Sequence, residues 1–124
     1  MDQQDKACID KIIEDRKRAH WFYTKNSEVY RMFSAVEEKA FGDGALSRMQ
    51  KELIATGISV VTDCESCMEW HIHEALKAGA TPEQVIEAVG VAIEIGAGKA
   101  TVSARFAMKV LEYYGQSAGS SNAQ

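Results

Sequence analysis

Apolar residues recur at near-helical spacing along most of the chain, and the pattern divides it into six helices. Ile9, Ile12, Ile13, Ala19 and Phe22 mark a first helix over residues 4–24, set among charges. Asn26 or Ser27 fits the N-cap of a second, which carries Val29, Tyr30, Met32, Phe33 and Val36 and ends before Gly42-Asp43-Gly44. Ser47 then caps a third with Leu53, Ile54, Ile58, Val60 and Val61. Gly57 interrupts that run and weakens the helix by about 1 kcal/mol relative to Ala. Thr62 and Asp63 read as cap residues, so Cys64 stands at the start of a fourth helix that continues to Lys77 and stops at Gly79.

Thr81-Pro82-Glu83-Gln84 opens a fifth helix with a hydroxyl cap, Pro at the first position and Gln84 at the capping-box position. Val85, Ile86, Val89, Val91, Ala92, Ile93 and Ile95 make it apolar around most of its circumference, so it must be buried on several sides. A short chain has few helices to do that. Neighbouring subunits are the expected cover, with the centre of a monomeric bundle as the alternative. A break at Gly96-Ala97-Gly98 precedes a sixth helix carrying Val102, Phe106, Val110 and Tyr114, and from Gly115 the Ser, Gly, Ala and Asn composition predicts a disordered tail. The reading is therefore an all-α, oligomeric bundle of about six helices: an N-terminal helical segment over 1–44, a core over 45–114 and a tail over 115–124.

Composition agrees with the pattern. The 124 residues suffice for one domain with its own core, and 1 Pro with 9 Gly favours long regular elements over a turn-rich strand fold. Fourteen basic against eighteen acidic residues give a net charge of −4 with the basic ones scattered, which offers no footprint for nucleic acid or an anionic membrane. The N-terminus Met1-Asp2-Gln3-Gln4-Asp5 lacks the basic and apolar regions of a signal peptide, and no apolar run approaches a membrane span; a cytoplasmic location is expected. In a reducing compartment a permanent disulfide is disfavoured. Three cysteines, two of them paired as CxxC, then point to catalysis, redox cycling or metal.

The CxxC is Cys64-Glu65-Ser66-Cys67, with His71 four residues on and Glu52 twelve residues before it. Residues three and four apart share a helix face, so Cys64, Cys67 and His71 form one stripe. At a helix start the unpaired backbone N–H groups and the dipole favour a thiolate. His71 is placed to accept the proton of Cys67, and Glu52 is the candidate carboxylate behind the imidazole. Glu52 lies about three turns before the Thr62-Asp63 corner and His71 about two turns after it, so antiparallel packing puts them at similar depth. Asp63 and Glu65, beside the cysteines, act the other way, because nearby negative charge disfavours a thiolate.

Other readings of the same residues are plainer. A zinc site would need Cys64, Cys67, His71 and His73 to converge from one helix, where His73 points to a different side. Cys67 could also be a buried core thiol with His71 a satisfied polar neighbour. Cys8 has no cysteine partner in the sequence and reads as a small apolar residue of the first helix. Gly96-Ala97-Gly98-Lys99-Ala100 fails as a phosphate loop, since Ile93 stands where that loop needs Gly and Ala100 where it needs Ser or Thr. Glu94, among apolar neighbours, requires a partner such as Lys99 or Arg105.

Lys51-Glu52-Leu53-Ile54, then Cys64-x-x-Cys67-x-x-x-His71, then Ala75-Leu76-Lys77-Ala78-Gly79-Ala80-Thr81 and an apolar helix resemble the AhpD-like alkylhydroperoxidase and carboxymuconolactone decarboxylase superfamily over residues 46–114. The resemblance implies an all-α fold and an obligate homo-oligomer, commonly a trimer or hexamer. In the AhpD branch the cysteine pair cycles between dithiol and disulfide, with a peroxide or an oxidised partner as electron acceptor and a lipoyl-bearing or thioredoxin-like protein as donor. Carried onto this chain, Cys67 is the nucleophile, His71 its proton acceptor, Glu52 the distal member of the relay and Cys64 the resolving thiol. No cofactor beyond the redox-active disulfide and no metal is implied. Peroxidases of this branch often have a histidine just before the second cysteine, where this chain has Ser66, so the relay is expected to be weaker. The decarboxylase branch generally lacks the cysteine pair. A lactone decarboxylase using His71 and Glu52, and a non-catalytic metal-binding protein, are the alternatives to a peroxide-reducing or disulfide-exchanging enzyme.

Overall fold

The computed structural model describes residues 1–121, with side chains to residue 115, and every regular element among them is a helix: α1 (Gln3–Asn26), α2 (Glu28–Phe41), α3 (Arg48–Val61), α4 (Glu65–Lys77) and α5 (Pro82–Ser121). Local chemistry sets most boundaries. The Asp2 side chain accepts from the Asp5 N–H to start α1, and Ser27 accepts from the Tyr30 N–H to start α2. Ser47 and Gln50 form a reciprocal capping box before α3, as Thr81 and Gln84 do before α5. Along exposed α1, Lys11 Nζ lies 2.6 Å from Asp15 and draws that carboxyl below its ordinary pKa.

α3 and α4 form a tight helical hairpin, and α3 packs on its other side against α5. The corner differs from the capping expected of Thr62 and Asp63. Thr62 is the C-cap of α3, Asp63 takes a left-handed φ of 54°, and Cys64 itself is the N-cap of α4. At the other end of α4, Gly79 adopts φ 103°, a conformation that a Cβ would strain.

Gly57 has a packing reason. A Cβ there would lie 3.4 Å from the Ala88 carbonyl oxygen and 4.0 Å from Ala92 Cβ, so its absence lets α3 and α5 approach closely. That contact offsets the helix-propensity cost of glycine.

Five helices stand where about six were expected, because α5 runs unbroken through Gly96-Ala97-Gly98. Two glycines cost roughly 2 kcal/mol of helix propensity, but with neither Pro nor a capping side chain nothing redirects the chain. At 1.5 Å per residue α5 is about 60 Å long. It is described as helix to Ser121, beyond the Gly115 at which the tail was expected to begin; residues 122–124 lie outside the described residues.

Among the described residues the buried ones are Glu52, Thr56, Ser59, Glu74, Ala75, Ala80 and Ala92, a set with no large aliphatic side chain. Ile54, Ile58, Ile86, Val91, Ile93 and Phe106 are half or more exposed. The chain's surface is 9672 Å², whereas a compact monomer of this mass would expose roughly 6,600 Å². No helix among the described residues is long and apolar enough to cross a membrane.

Candidate active site

The hairpin corner carries the two sulfurs and the hairpin body carries the His71–Glu52 pair. Cys64 and Cys67 are joined as a disulfide, with Cα atoms 5.2 Å apart. Their placement follows from the N-cap: the Cys67 N–H, a first-turn donor with no intrahelical acceptor, donates to Cys64 Sγ at 3.3 Å. Both cysteines are partly exposed, and Asp63, Glu65 and Ser66 beside them are exposed. The acidic rim thus lies at the mouth of the pair.

One turn beyond Cys67, His71 Nδ1 lies 2.7 Å from Glu52 Oε2. Glu52 is only 1% exposed, and the imidazole edge keeps 17% of its side-chain surface open. A carboxylate on Nδ1 holds the proton of that nitrogen and leaves Nε2 as the free acceptor. Phe41, the last residue of α2, stacks on the imidazole at 5.2 Å between centroids and 20° between planes. The ring is therefore held on a face as well as at Nδ1.

Glu52 is not alone in the interior. Arg48, one turn earlier on α3, lies 4.0 Å from Glu52 Oε1 and 3.5 Å from Oε2 of Glu74. Glu74 is 6% exposed and also faces Lys77 at 3.4 Å. Two buried carboxylates thus share one arginine. Thr56, fully buried, donates to the Glu52 carbonyl at 2.8 Å and no buried side-chain polar atom among the described residues is unpartnered.

Of the residues singled out in the sequence, Glu52 and His71 meet directly, Cys64 and Cys67 are bonded, and Cys67 and His71 share a face of α4. His73 is exposed and turns away from them, into an open groove between α1 and α4 that Cys8 also lines. Cys8 is free and exposed rather than packed. Glu94 is exposed on α5. Among the described residues no three of His, Cys, Asp and Glu converge as a cation site. Phe41, Arg48 and Glu74 were not anticipated. Arg48 carried a signal, standing four residues before Glu52 on one helix face; the others are brought in by tertiary packing.

A second concavity lies between α3 and α5, an apolar groove of about 430 Å³ lined by Leu53, Ile54, Ile58, Val61, Val91 and Ile95. It contains none of the site residues.

Comparison with known proteins gives a consistent result. The family model described as the carboxymuconolactone decarboxylase family matches residues 27–110. An uncharacterized protein encoded in the cox locus of Paracoccus denitrificans is 44% identical over 80 residues, 64% of this chain and 72% of that protein. An uncharacterized protein of Cupriavidus necator is 38% identical over 82 residues, 66% of this chain and 70% of its own length. Among solved structures, a carboxymuconolactone decarboxylase family protein from Legionella pneumophila in its apo form superimposes with a TM-score of 0.66 at 32% identity, over 73% of this chain and 81% of that one. A protein from Methanobacterium thermoautotrophicum gives 0.62 at 36% identity, over 67% and 93%.

Proposed function

The chain belongs to the carboxymuconolactone decarboxylase family, and from that premise we propose that it is a thiol-dependent oxidoreductase of the AhpD type, cycling Cys64 and Cys67 between dithiol and disulfide to reduce a peroxide or an oxidised partner. The observation that carries the reading is the conjunction on α4 of a closed Cys64–Cys67 disulfide and, one turn on, an imidazole hydrogen-bonded to a buried carboxylate.

In the reduced enzyme His71 takes the proton of Cys67. The thiolate attacks the terminal peroxide oxygen, an S–O bond forms, the O–O bond breaks, and the departing alkoxide receives the proton from the imidazolium. Glu52 stabilises that imidazolium and fixes its tautomer. Cys64 then attacks the Cys67 sulfenic acid, forming the S–S bond and releasing water. A lipoyl-bearing or thioredoxin-like dithiol returns two electrons and two protons. No other prosthetic group enters this cycle. The exposed apolar faces of α3 and α5 support a homo-oligomer as the working form, a trimer or hexamer.

Mass spectrometry of alkylated protein, titrated with hydrogen peroxide under anaerobic thiol-free conditions beside His71→Ala, tests the reading. Rapid stoichiometric loss of two hydrogens mapped to Cys64 and Cys67, slowed in the variant, is expected. Cysteines that stay reduced would remove it.

One feature favours a second reading: the Glu52–His71 pair is complete without sulfur, as an acid–base enzyme of the lactone decarboxylase kind would need. Turnover of a lactone carboxylate that survives Cys67→Ser would select it.

A further inference from the structure

Arg16 of α1 contacts the turn of α4 that carries the disulfide. Arg16 Nη1 donates to the Ser66 carbonyl at 3.0 Å and to the Ser66 hydroxyl at 3.3 Å, while Nη2 pairs with the Glu69 carboxylate. The guanidinium also lies over the Trp70 ring, 5.1 Å from its centroid. These partners surround Cys67 in sequence. Arg16 keeps 24% of its side-chain surface open and Glu69 14%, so their ion pair is partly shielded from water, whereas the hydrogen bonds to Ser66 lie at the exposed rim.

The Ser66 carbonyl belongs to the peptide group that joins Ser66 to Cys67. The N–H of that same group donates to Cys64 Sγ. A single peptide unit therefore lies between a guanidinium on its oxygen side and the Cys64 sulfur on its N–H side. A cation on the oxygen polarises the unit and makes its N–H a stronger donor, as hydrogen bonds in series do. A thiolate accepts from such a donor much better than a disulfide sulfur, because the bond is then charge-assisted. Strengthening the donor consequently favours the reduced pair. Glu69 neutralises most of the guanidinium's field at a distance, which leaves direct contact with the carbonyl as the route of its influence.

We propose that Arg16 is a positioning residue that sets the dithiol–disulfide equilibrium of Cys64 and Cys67 through the Ser66–Cys67 peptide, favouring the reduced pair, in which the one negative charge is shared between the Cys67 sulfur that His71 deprotonates and the Cys64 sulfur that this N–H holds. The inference rests on the pair being redox-active. It gives the N-terminal helix a part in the site, although α1 supplies no reacting atom.

Equilibration of the full-length protein in glutathione buffers of varied ratio, with the reduced fraction read by alkylation and mass, tests it. In that exchange the Cys64–Cys67 disulfide and two glutathione thiols give the protein dithiol and one glutathione disulfide. Two electrons and the two glutathione thiol protons pass to the protein, one of these protons held by His71 where Cys67 is the thiolate. Arg16→Gln is expected to shift the constant about tenfold toward the protein disulfide, about 30 mV more reducing. Arg16→Lys, which can still donate to the carbonyl, should stay within about threefold of wild type. Arg16→Gln/Glu69→Gln leaves no unpaired charge to compromise folding and should keep the shift. An unshifted Arg16→Gln, or a double variant that returns to the wild-type constant, would overturn the proposal while leaving the redox reading intact. A wild-type disulfide that no glutathione ratio opens would remove the redox reading itself, and the role of Arg16 with it.

Discussion

His71 and Glu52, nineteen residues apart in sequence, meet at 2.7 Å across the α3–α4 hairpin, and the carboxylate of the pair is almost wholly buried. A buried anion of that kind persists only with partners. Here they are the imidazole Nδ1 on one oxygen and the more distant Arg48 guanidinium on the other.

Glu52→Gln should therefore preserve the shape of the pair and remove its charge. The imidazolium loses its counter-ion and Nδ1 its fixed tautomer, so peroxide-driven oxidation of the cysteines should slow by about 100-fold, in the range of general acid–base effects. Stability should fall by about 1–3 kcal/mol, the cost of an altered buried hydrogen bond. Stopped-flow oxidation and urea unfolding, run side by side, separate the two effects. A variant that oxidises at the wild-type rate would mean the relay does not include Glu52.

Serine at each thiol in turn distinguishes their roles. Cys67→Ser should abolish peroxide consumption, whereas Cys64→Ser should consume one equivalent and stop at a sulfenic acid or a mixed disulfide. Trapping with dimedone and intact-mass measurement read both. The opposite pattern, with the trapped species at Cys64, would reverse the assignment of nucleophile and resolving thiol.

Arg48→Met removes the cation shared by Glu52 and Glu74. Breaking a fully buried pair costs about 3–5 kcal/mol, but Arg48 is 49% exposed, so water screens part of the loss and about 1–2 kcal/mol is expected. Chemical denaturation measures it. Combining Arg48→Met with Glu74→Leu should recover part of the stability, since Glu74 then leaves no buried charge while Glu52 keeps the His71 imidazole as its partner.

How much of this was legible in the sequence depends on distance along the chain. Helix starts were readable because Ser27, Ser47 and Thr81 act on donors within three residues of themselves. The Glu52–His71 meeting was readable because a short corner makes two helices antiparallel, and depth then follows from counting turns. Cys64 as N-cap was obscured by Thr62 and Asp63, better capping types that the chain uses to end α3 and turn the corner. The role of Arg16 was hidden: its partner Ser66 is fifty residues away, and nothing local distinguishes it from the other α1 charges. Gly96-Ala97-Gly98 misled, since a glycine pair weakens a helix without supplying a competing structure.

That last point can be measured. Gly96 stands within continuous α5 with nothing within 4 Å of a Cβ placed on it. Gly96→Ala should then raise stability by about 0.5–1 kcal/mol, the ordinary helix-interior gain. A loss on denaturant unfolding would indicate a bend at this position in solution.

The apolar surface makes the final test. Ile58 is 58% exposed and Val91 65%, on facing sides of the groove between α3 and α5, and the chain carries about 3,000 Å² more surface than a compact monomer of its mass. At about 25 cal/mol per Å², covering a large share of that excess supplies more free energy than association costs. Sedimentation velocity at micromolar concentration should accordingly find a mass several times the 13.7 kDa of one chain. Val91→Glu places a charge on the face that must be covered and should shift the distribution toward smaller species with an increase in bound hydrophobic dye. The same substitution should lower thermal stability in a concentration-dependent way, because folding and assembly are then linked by mass action. A wild-type chain that sediments as a monomer would leave Ile58, Val91 and the length of α5 facing water, an arrangement the hydrophobic effect does not sustain.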